Sequence, residues 1–294
     1  MRYCDKERKM EKMDQNSDWT TEIKPRSGWF DINLKELWSY KDLILILVRR
    51  DFISQYKQTI LGPLWFLIQP LFSTLVFTFA FGTIAQIPTD GLPQFLFYMS
   101  GLTAWNYFSN CVTQTSNTFV GNAYLFGKVY FPRLAVPVSV LITNLLRFVI
   151  QFSLFMVLLT YFYLKGSPIH PNFWIVLTPF LIVQMAALGL GMGILISSFT
   201  IKYRDLGHAF GFFVPLWMYA TPIVYPLSQV PAKWLWLIAL NPMTSIVELF
   251  RYAFLGEATI QLWLIGLSIA MTVMILFIGI VLFTKVEKTF IDSV

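Results

Sequence analysis

Long runs without a formally charged side chain dominate this sequence. No Asp, Glu, Lys or Arg occurs in the 32 residues between Lys57 and Asp90, the 37 between Asp90 and Lys128, or the 36 between Lys165 and Lys202. Two further gaps of 27 residues separate Asp205 from Lys233 and Glu257 from Lys285. A helix needs about 20 apolar residues to cross the hydrocarbon core of a bilayer, so each gap holds one crossing. The stretch from Arg133 to Lys165, interrupted only by Arg147, supplies another. The runs predict an all-α integral membrane protein with six transmembrane helices, the first near Leu64 to Ile84 and the second near Leu92 to Val120. The 14 residues between Lys233 and Glu248 are too few to cross and are broken at Asn241-Pro242, which predicts an outer re-entrant or interfacial hairpin between spans five and six.

Basic residues fix the expected orientation. Arg49, Arg50, Lys57, Lys128, Arg133, Lys202, Arg204, Lys285 and Lys288 fall at one side of these spans, and Lys165, Lys233 and Arg251 at the other. The excess of Lys and Arg on cytoplasmic loops then puts both termini in the cytoplasm and the hairpin at 227–258 outside. Residues 1–28 form a polar tail with no apolar core of a cleavable signal. Residues 29–60 are an interface region, in which Ile32 to Thr59 reads as an amphipathic helix at the membrane surface. Residues 61–294 make up the transmembrane domain.

Several function classes drop out on composition. Only 13% of residues are charged and 56% are hydrophobic, far from a soluble protein, in which roughly a quarter are charged. The net charge of +6 comes from residues flanking the apolar runs, which suits anionic lipid headgroups and not nucleic acid. Two cysteines and two histidines at scattered positions give no metal site. Gly121 to Lys128 has five residues between its glycines where a phosphate-binding loop has four, and Val129 follows the lysine. No Asp or Glu falls inside a span, which argues against ion-coupled transport. If transport is driven by ATP, the ATPase is another chain.

The candidate site residues each have a bland alternative. Arg147 is the one formal charge within a span; it either binds a phosphate in passage or bonds to backbone carbonyls. Trp65, Phe72 and Phe79 on the first span, Tyr98, Trp105, Tyr107 and Phe108 on the second, and Trp217 and Tyr219 on the fifth could stack on sugar rings, or could serve packing and lipid contact. Two GxxxG spacings, Gly189/Gly193 and Gly207/Gly211, suit close helix packing. Asn122, Tyr124, Phe126, Lys128, Tyr130 and Phe131 form a polar-aromatic segment of a kind that docks to a partner. Glu248 and Arg251, at i and i+3, form either a surface ion pair or an outer gate.

Five segments in this order, RRDFISQYKQTILGPLWFLIQP (49–70), FGKVYFPRLAVPVSVL (126–141), YRDLGHAFGFFVPLWMYATPIVYP (203–226), NPMTSIVELFRYAFLG (241–256) and FTKVEKTFIDSV (283–294), resemble the membrane permease subunit of ABC exporters that move O-antigen, capsule or teichoic acid. The resemblance implies a bacterial inner-membrane homodimer joined to two copies of a separate ATPase, which carries ATP and Mg while this chain binds no cofactor. It also implies that Asn122 to Pro132 is the coupling helix docking on that ATPase, that the hairpin is a set of gating helices, and that lipid-linked polysaccharide enters past Arg49, Arg50 and Lys57. A lipid or drug exporter of the same architecture, a stand-alone channel or carrier, and a membrane glycosyltransferase are the competing classes.

Overall fold

The computed structural model describes residues 34–122, 124, 128, 131–200, 203, 205–258 and 260–291, so the polar tail lies outside the described residues. All regular elements among the described residues are helical. A short helix α1 (Leu34–Ser39) leads into α2 (Lys41–Tyr56). Pro63 at the start of a 3-10 turn, Gly62–Leu64, opens α3 (Trp65–Phe77), which continues as a π-helix over Thr78–Ile84. The long α4 (Gln94–Ser116) and α5 (Ala135–Leu164) follow. After them come α6 (Thr178–Thr200), α7 (Asp205–Ala220), α8 (Ala232–Ala239), α9 (Pro242–Leu255) and α10 (Leu262–Ile291).

Four stretches are long and apolar enough to cross a membrane: Gly62–Ile84, Ala135–Leu164, Phe173–Thr200 and Leu262–Lys285. The first starts within two residues of the expected Leu64. α4 has the length, with 23 residues, but is more polar. The reason is its place in the molecule: α4 packs on α3, α5, α6, α7 and α9, and every residue from Leu96 to Trp105 is buried. Two of its buried hydroxyls are satisfied within the helix, Ser100 Oγ donating to Phe97 O at 2.8 Å and Thr103 Oγ1 to Met99 O at 2.7 Å. A helical stretch enclosed by neighbouring helices, as residues 96–105 are, has no need of an apolar surface. α7 has only 16 residues, roughly 24 Å at 1.5 Å per residue, which is short of the bilayer core.

α6 is the second central element, held between α4 and α10. Its glycines make this possible. A Cβ at Gly189 would lie 2.6 Å from Cys111 Cβ and one at Gly193 2.5 Å from Thr115 Cβ, both on α4, while one at Gly191 would lie 2.7 Å from Leu276 Cα on α10. Small residues let membrane helices approach backbone to backbone. Nothing lies within 4 Å of the corresponding point at Gly211 on α7, so of the two GxxxG spacings only the first is buried in this packing.

Much of the aromatic content goes into the core. Phe152 and Phe155 of α5 meet Phe250 and Phe254 of α9 at ring-centroid distances of 5.4 to 6.0 Å, and Phe148 stacks on Phe152 at 5.6 Å. Such offset and edge-on pairs are favourable beyond simple burial.

The chain breaks at Asn241-Pro242 for a local reason. Asn241 Oδ1 accepts from Met243 N at 3.1 Å, Pro242 occupies the first helical position, and α9 ends at Gly256 with φ +89°. This is the preferred chemistry at each end of a helix. The α5–α6 connection docks on that end, His170 N donating to Leu255 O at 3.0 Å and Asn172 N to Ala253 O at 3.1 Å.

The helix expected at the membrane surface, α2, differs from a simple two-faced one. Ile44, Leu47 and Val48 of α2 bury against Phe131, Ala135 and Val136, yet Leu45 and Ile46 of the same turn are exposed. Apolar residues therefore surround the first half of α2 after its opening Lys41 and Asp42, and its other charges, Arg49, Arg50 and Asp51, form one run past the middle of the helix.

Candidate functional site

The nine candidate aromatics separate into two groups. Tyr98, Trp105, Tyr107 and Phe108 are at most 3% exposed and fill the interior around α4. Trp217 joins them, its ring 5.4 Å from Phe108 and 6.1 Å from Trp105. Trp65, Phe72 and Phe79, spaced seven residues apart, instead share one exposed face of α3, and Phe79 is 63% exposed. Only 11% of the most apolar part of Gly62–Ile84 is buried, against 56% for Phe173–Thr200. Tyr219 is exposed on α7. There it continues a face with Phe212 and Leu216, with Phe213 beside it. Sequence reading missed Phe212 and Phe213, although the i, i+4, i+7 spacing of Phe212, Leu216 and Tyr219 places them on one helical stripe. A single chain thus presents two exposed aromatic faces, on α3 and on α7, and both helices pack against the buried α4.

Glu248 and Arg251 are interior residues. Arg251 Nη1 donates to Glu248 Oε1 at 2.9 Å, with side-chain exposures of 1% and 5%. Arg251 Nη2 donates to Pro222 O at 3.1 Å, and the guanidinium carbon lies 3.7 Å from the Phe97 ring centre. A Cβ on Gly101 would come within 3.3 Å of Nη2, so the glycine provides the space the arginine occupies. Burial pushes the Arg251 proton affinity down, and the Glu248 carboxylate, with Asp90 beyond it, raises it again. Three elements meet at this one side chain: α9, the start of α4 and the segment after α7. A second tie lies nearby, Ser228 Oγ donating to both carboxylate oxygens of Asp90 at 2.9 Å. The i,i+3 spacing was visible in sequence. The burial was not.

Arg147 lies on α5 as the spacing required, within a helix that begins at Ala135. Its guanidinium sits 5.9 Å from the Phe66 ring centre, and Nε is buried with no hydrogen-bond partner. Phe66 stacks on Phe52 at 5.5 Å, and Tyr56 meets both rings. Arg49, Arg50 and Lys57 are exposed along and just after the end of α2, Arg50 Nε donating to Asp51 Oδ1 at 2.7 Å.

In the connecting segment after α4, Tyr124 is 73% exposed and Lys128 Nζ lies 3.9 Å from its ring centre. Asn122 is half-buried, its Nδ2 donating to Thr118 O at 3.0 Å. Phe131 is buried at 5% against the α2 cluster. Phe126 and Tyr130 lie outside the described residues.

Comparison with known proteins decides the family. Residues 42–255 match the ABC-2 type transporter family. The chain belongs to it. It is 31% identical over 226 residues to the O-antigen export system permease protein RfbA of Myxococcus xanthus, covering 75% of this chain and 83% of that one. It is 25% identical over 251 residues to the protein of the same name from Klebsiella pneumoniae, covering 85% and 94%. It is 23% identical over 252 residues to the polysialic acid transport protein KpsM of Escherichia coli, covering 84% and 94%. The chain is therefore a multi-pass membrane component of an ABC-2 type transporter. The match begins within α2 and closes at the end of α9, so both the α2 contact with α5 and the Glu248–Arg251 tie fall inside it.

Proposed function

We propose that this chain is the permease subunit of an ATP-driven exporter that moves lipid-linked polysaccharide of the O-antigen type across the bacterial inner membrane. The observation that carries this reading is the likeness, over most of the chain, to proteins named for O-antigen export and polysialic acid transport. Two exposed aromatic faces in one protomer support it, because aromatic planes pack on the C–H faces of sugars and let a chain slide without a deep binding well.

In this reading six helices cross the membrane, α3, α4, α5, α6, α7 and α10, and both termini are cytoplasmic. α7 reaches across with the help of its flanking residues, and α8 and α9 form the outer hairpin. Two copies of the chain pair so that the α3 and α7 faces border a shared conduit. Two copies of a separate ATPase hold ATP and Mg, and this chain binds neither. The segment around Tyr124 and Lys128 receives the ATPase, and closure of the nucleotide sites moves it. That motion passes through Phe131 and the start of α5 to α2, where Arg49, Arg50 and Lys57 attract the diphosphate of the incoming lipid. The Arg251 tie holds the outer hairpin to α4 as the conduit opens.

Deleting the gene in its native host tests the reading. Surface polysaccharide should disappear while lipid-linked precursor accumulates in the inner membrane, and a plasmid copy should reverse both. Normal surface polysaccharide in the deletion strain would refute it.

A further inference from the structure

Arg147 poses a problem that the export reading does not solve. A guanidinium within a membrane-spanning helix is costly unless something accepts its hydrogen bonds. Among the described residues its Nε is buried without a hydrogen-bond partner, and the guanidinium carbon lies 5.9 Å from the Phe66 ring centre. One turn earlier Asn144 is also incomplete: Nδ2 donates to Gln114 Oε1 at 3.1 Å and to Val140 O at 3.0 Å, but Oδ1 is buried without a partner. Two unpartnered polar atoms on adjacent turns of α5 mark a place where a polar group from outside the chain belongs.

Depth tells what that group is. α2 carries Lys41, Asp42, Arg49, Arg50 and Asp51, so it lies at headgroup level, and its contact with α5 extends to Ile142. Arg147 is five residues further, roughly 7.5 Å at 1.5 Å per residue. Its Cα is two to three residues from the middle of Ala135–Leu164, but helix side chains lean toward the N-terminus and a long basic side chain snorkels, so the guanidinium reaches back toward headgroup level. Arg147 and Ile150, one turn on, are both half-buried, and Leu146 on the flank next to Ile150 is 40% exposed, so this flank of α5 turns toward lipid. Phe66, with Phe52 and Tyr56 stacked around it, forms an apolar wall on one side.

We propose that Arg147 binds the phosphoryl group of a lipid in the leaflet occupied by α2, reached from the side between α3 and α5. Guanidinium and phosphate pair through two parallel charge-assisted hydrogen bonds, and the lipid chain lies along Ile150 and Leu146. Both a resident anionic phospholipid and a polyprenyl diphosphate carrier offer this chemistry. The site depends on membrane embedding and not on the identity of the cargo.

Native mass spectrometry of the purified full chain tests it, with short-chain phosphatidylglycerol, geranylgeranyl diphosphate and dioctanoylglycerol added in turn. Wild-type protein should retain at least one of the two phosphorylated lipids, and Arg147→Gln should lower its affinity at least tenfold with no effect on dioctanoylglycerol. Loss of phosphatidylglycerol alone identifies a resident phospholipid, and loss of the diphosphate alone identifies the carrier; each supports the site. Arg147→Lys, which keeps the charge without the fork, should fall between and serves as the test should the glutamine variant not fold. Undiminished binding in the Arg147 variants, or binding lost only in Arg49→Gln and Arg50→Gln, would overturn the proposal.

Discussion

The Arg251 guanidinium lies 3.7 Å from the Phe97 ring centre, joining α9 to the first turn of α4 through a cation and an aromatic face. Cation–π contacts strengthen when desolvated, and this arginine is 1% exposed. Glu248 and the Pro222 carbonyl accept from its two Nη atoms, so a charge that would be prohibitive alone becomes the point where three elements are tied.

Breaking that pair from one side should cost far more than removing it whole. Arg251→Met leaves the Glu248 carboxylate buried without its cation, and such a loss costs about 3–5 kcal/mol. Replacing both residues, Glu248→Leu with Arg251→Met, should recover a large part of it. Thermal unfolding in detergent, followed by size-exclusion chromatography, should rank wild type first, the double variant second and the single variant last.

The glycines of α6 and α7 should respond oppositely to a methyl group. At Gly191 the added Cβ meets the α10 backbone at 2.7 Å and α10 must move, an overpacking cost of about 1–3 kcal/mol or more. At Gly211 nothing stands within 4 Å, and the better helix propensity of alanine, worth up to ~1 kcal/mol, should leave stability equal or higher. Melting curves of Gly191→Ala and Gly211→Ala check this directly.

The two groups of aromatics should separate stability from transport. Phe155→Ala empties a fully buried position between α5 and α9 and should cost about 3–5 kcal/mol. Phe72→Ala, Phe79→Ala and Tyr219→Ala remove exposed rings, so melting should change little while surface polysaccharide falls several-fold. Stability lost with Phe72 or Tyr219, or export unchanged without all three, would place the conduit elsewhere.

Tyr124 is exposed and braced by Lys128, which makes it the described residue best placed to meet an ATPase. Tyr124→Ala should leave the melting of the isolated chain unchanged and reduce both ATPase recovery on co-purification and ATP hydrolysis by the complex. Full recovery and hydrolysis would remove this contact from the coupling surface.

Apolar run length made the first membrane helix readable almost to the residue, because charge is excluded from hydrocarbon whatever the fold. The Asn241-Pro242 break was equally legible, since a side-chain cap and a proline act locally. Sidedness was not. A membrane helix can be apolar both toward lipid and toward its neighbours, so Phe72 and Phe108 look alike in sequence although one faces outward and the other is sealed. α4 shows the inverse problem: its polar residues are tolerated because five other helices enclose it, a fact of tertiary packing. The burial of Arg251 depends on Phe97 and Pro222, which lie 154 and 29 positions away in the chain and leave no local trace.

The most direct measurement is reconstitution of the transporter purified with its partners from the native host into liposomes carrying lipid-linked polysaccharide on the outer surface. ATP addition should move the polysaccharide to the interior, where added glycosidase cannot reach it, and the preparation should contain a P-loop ATPase in equal amount with this chain. Protection that develops without ATP, or an active preparation holding this chain alone, would contradict the assignment as the permease of an ATP-driven exporter.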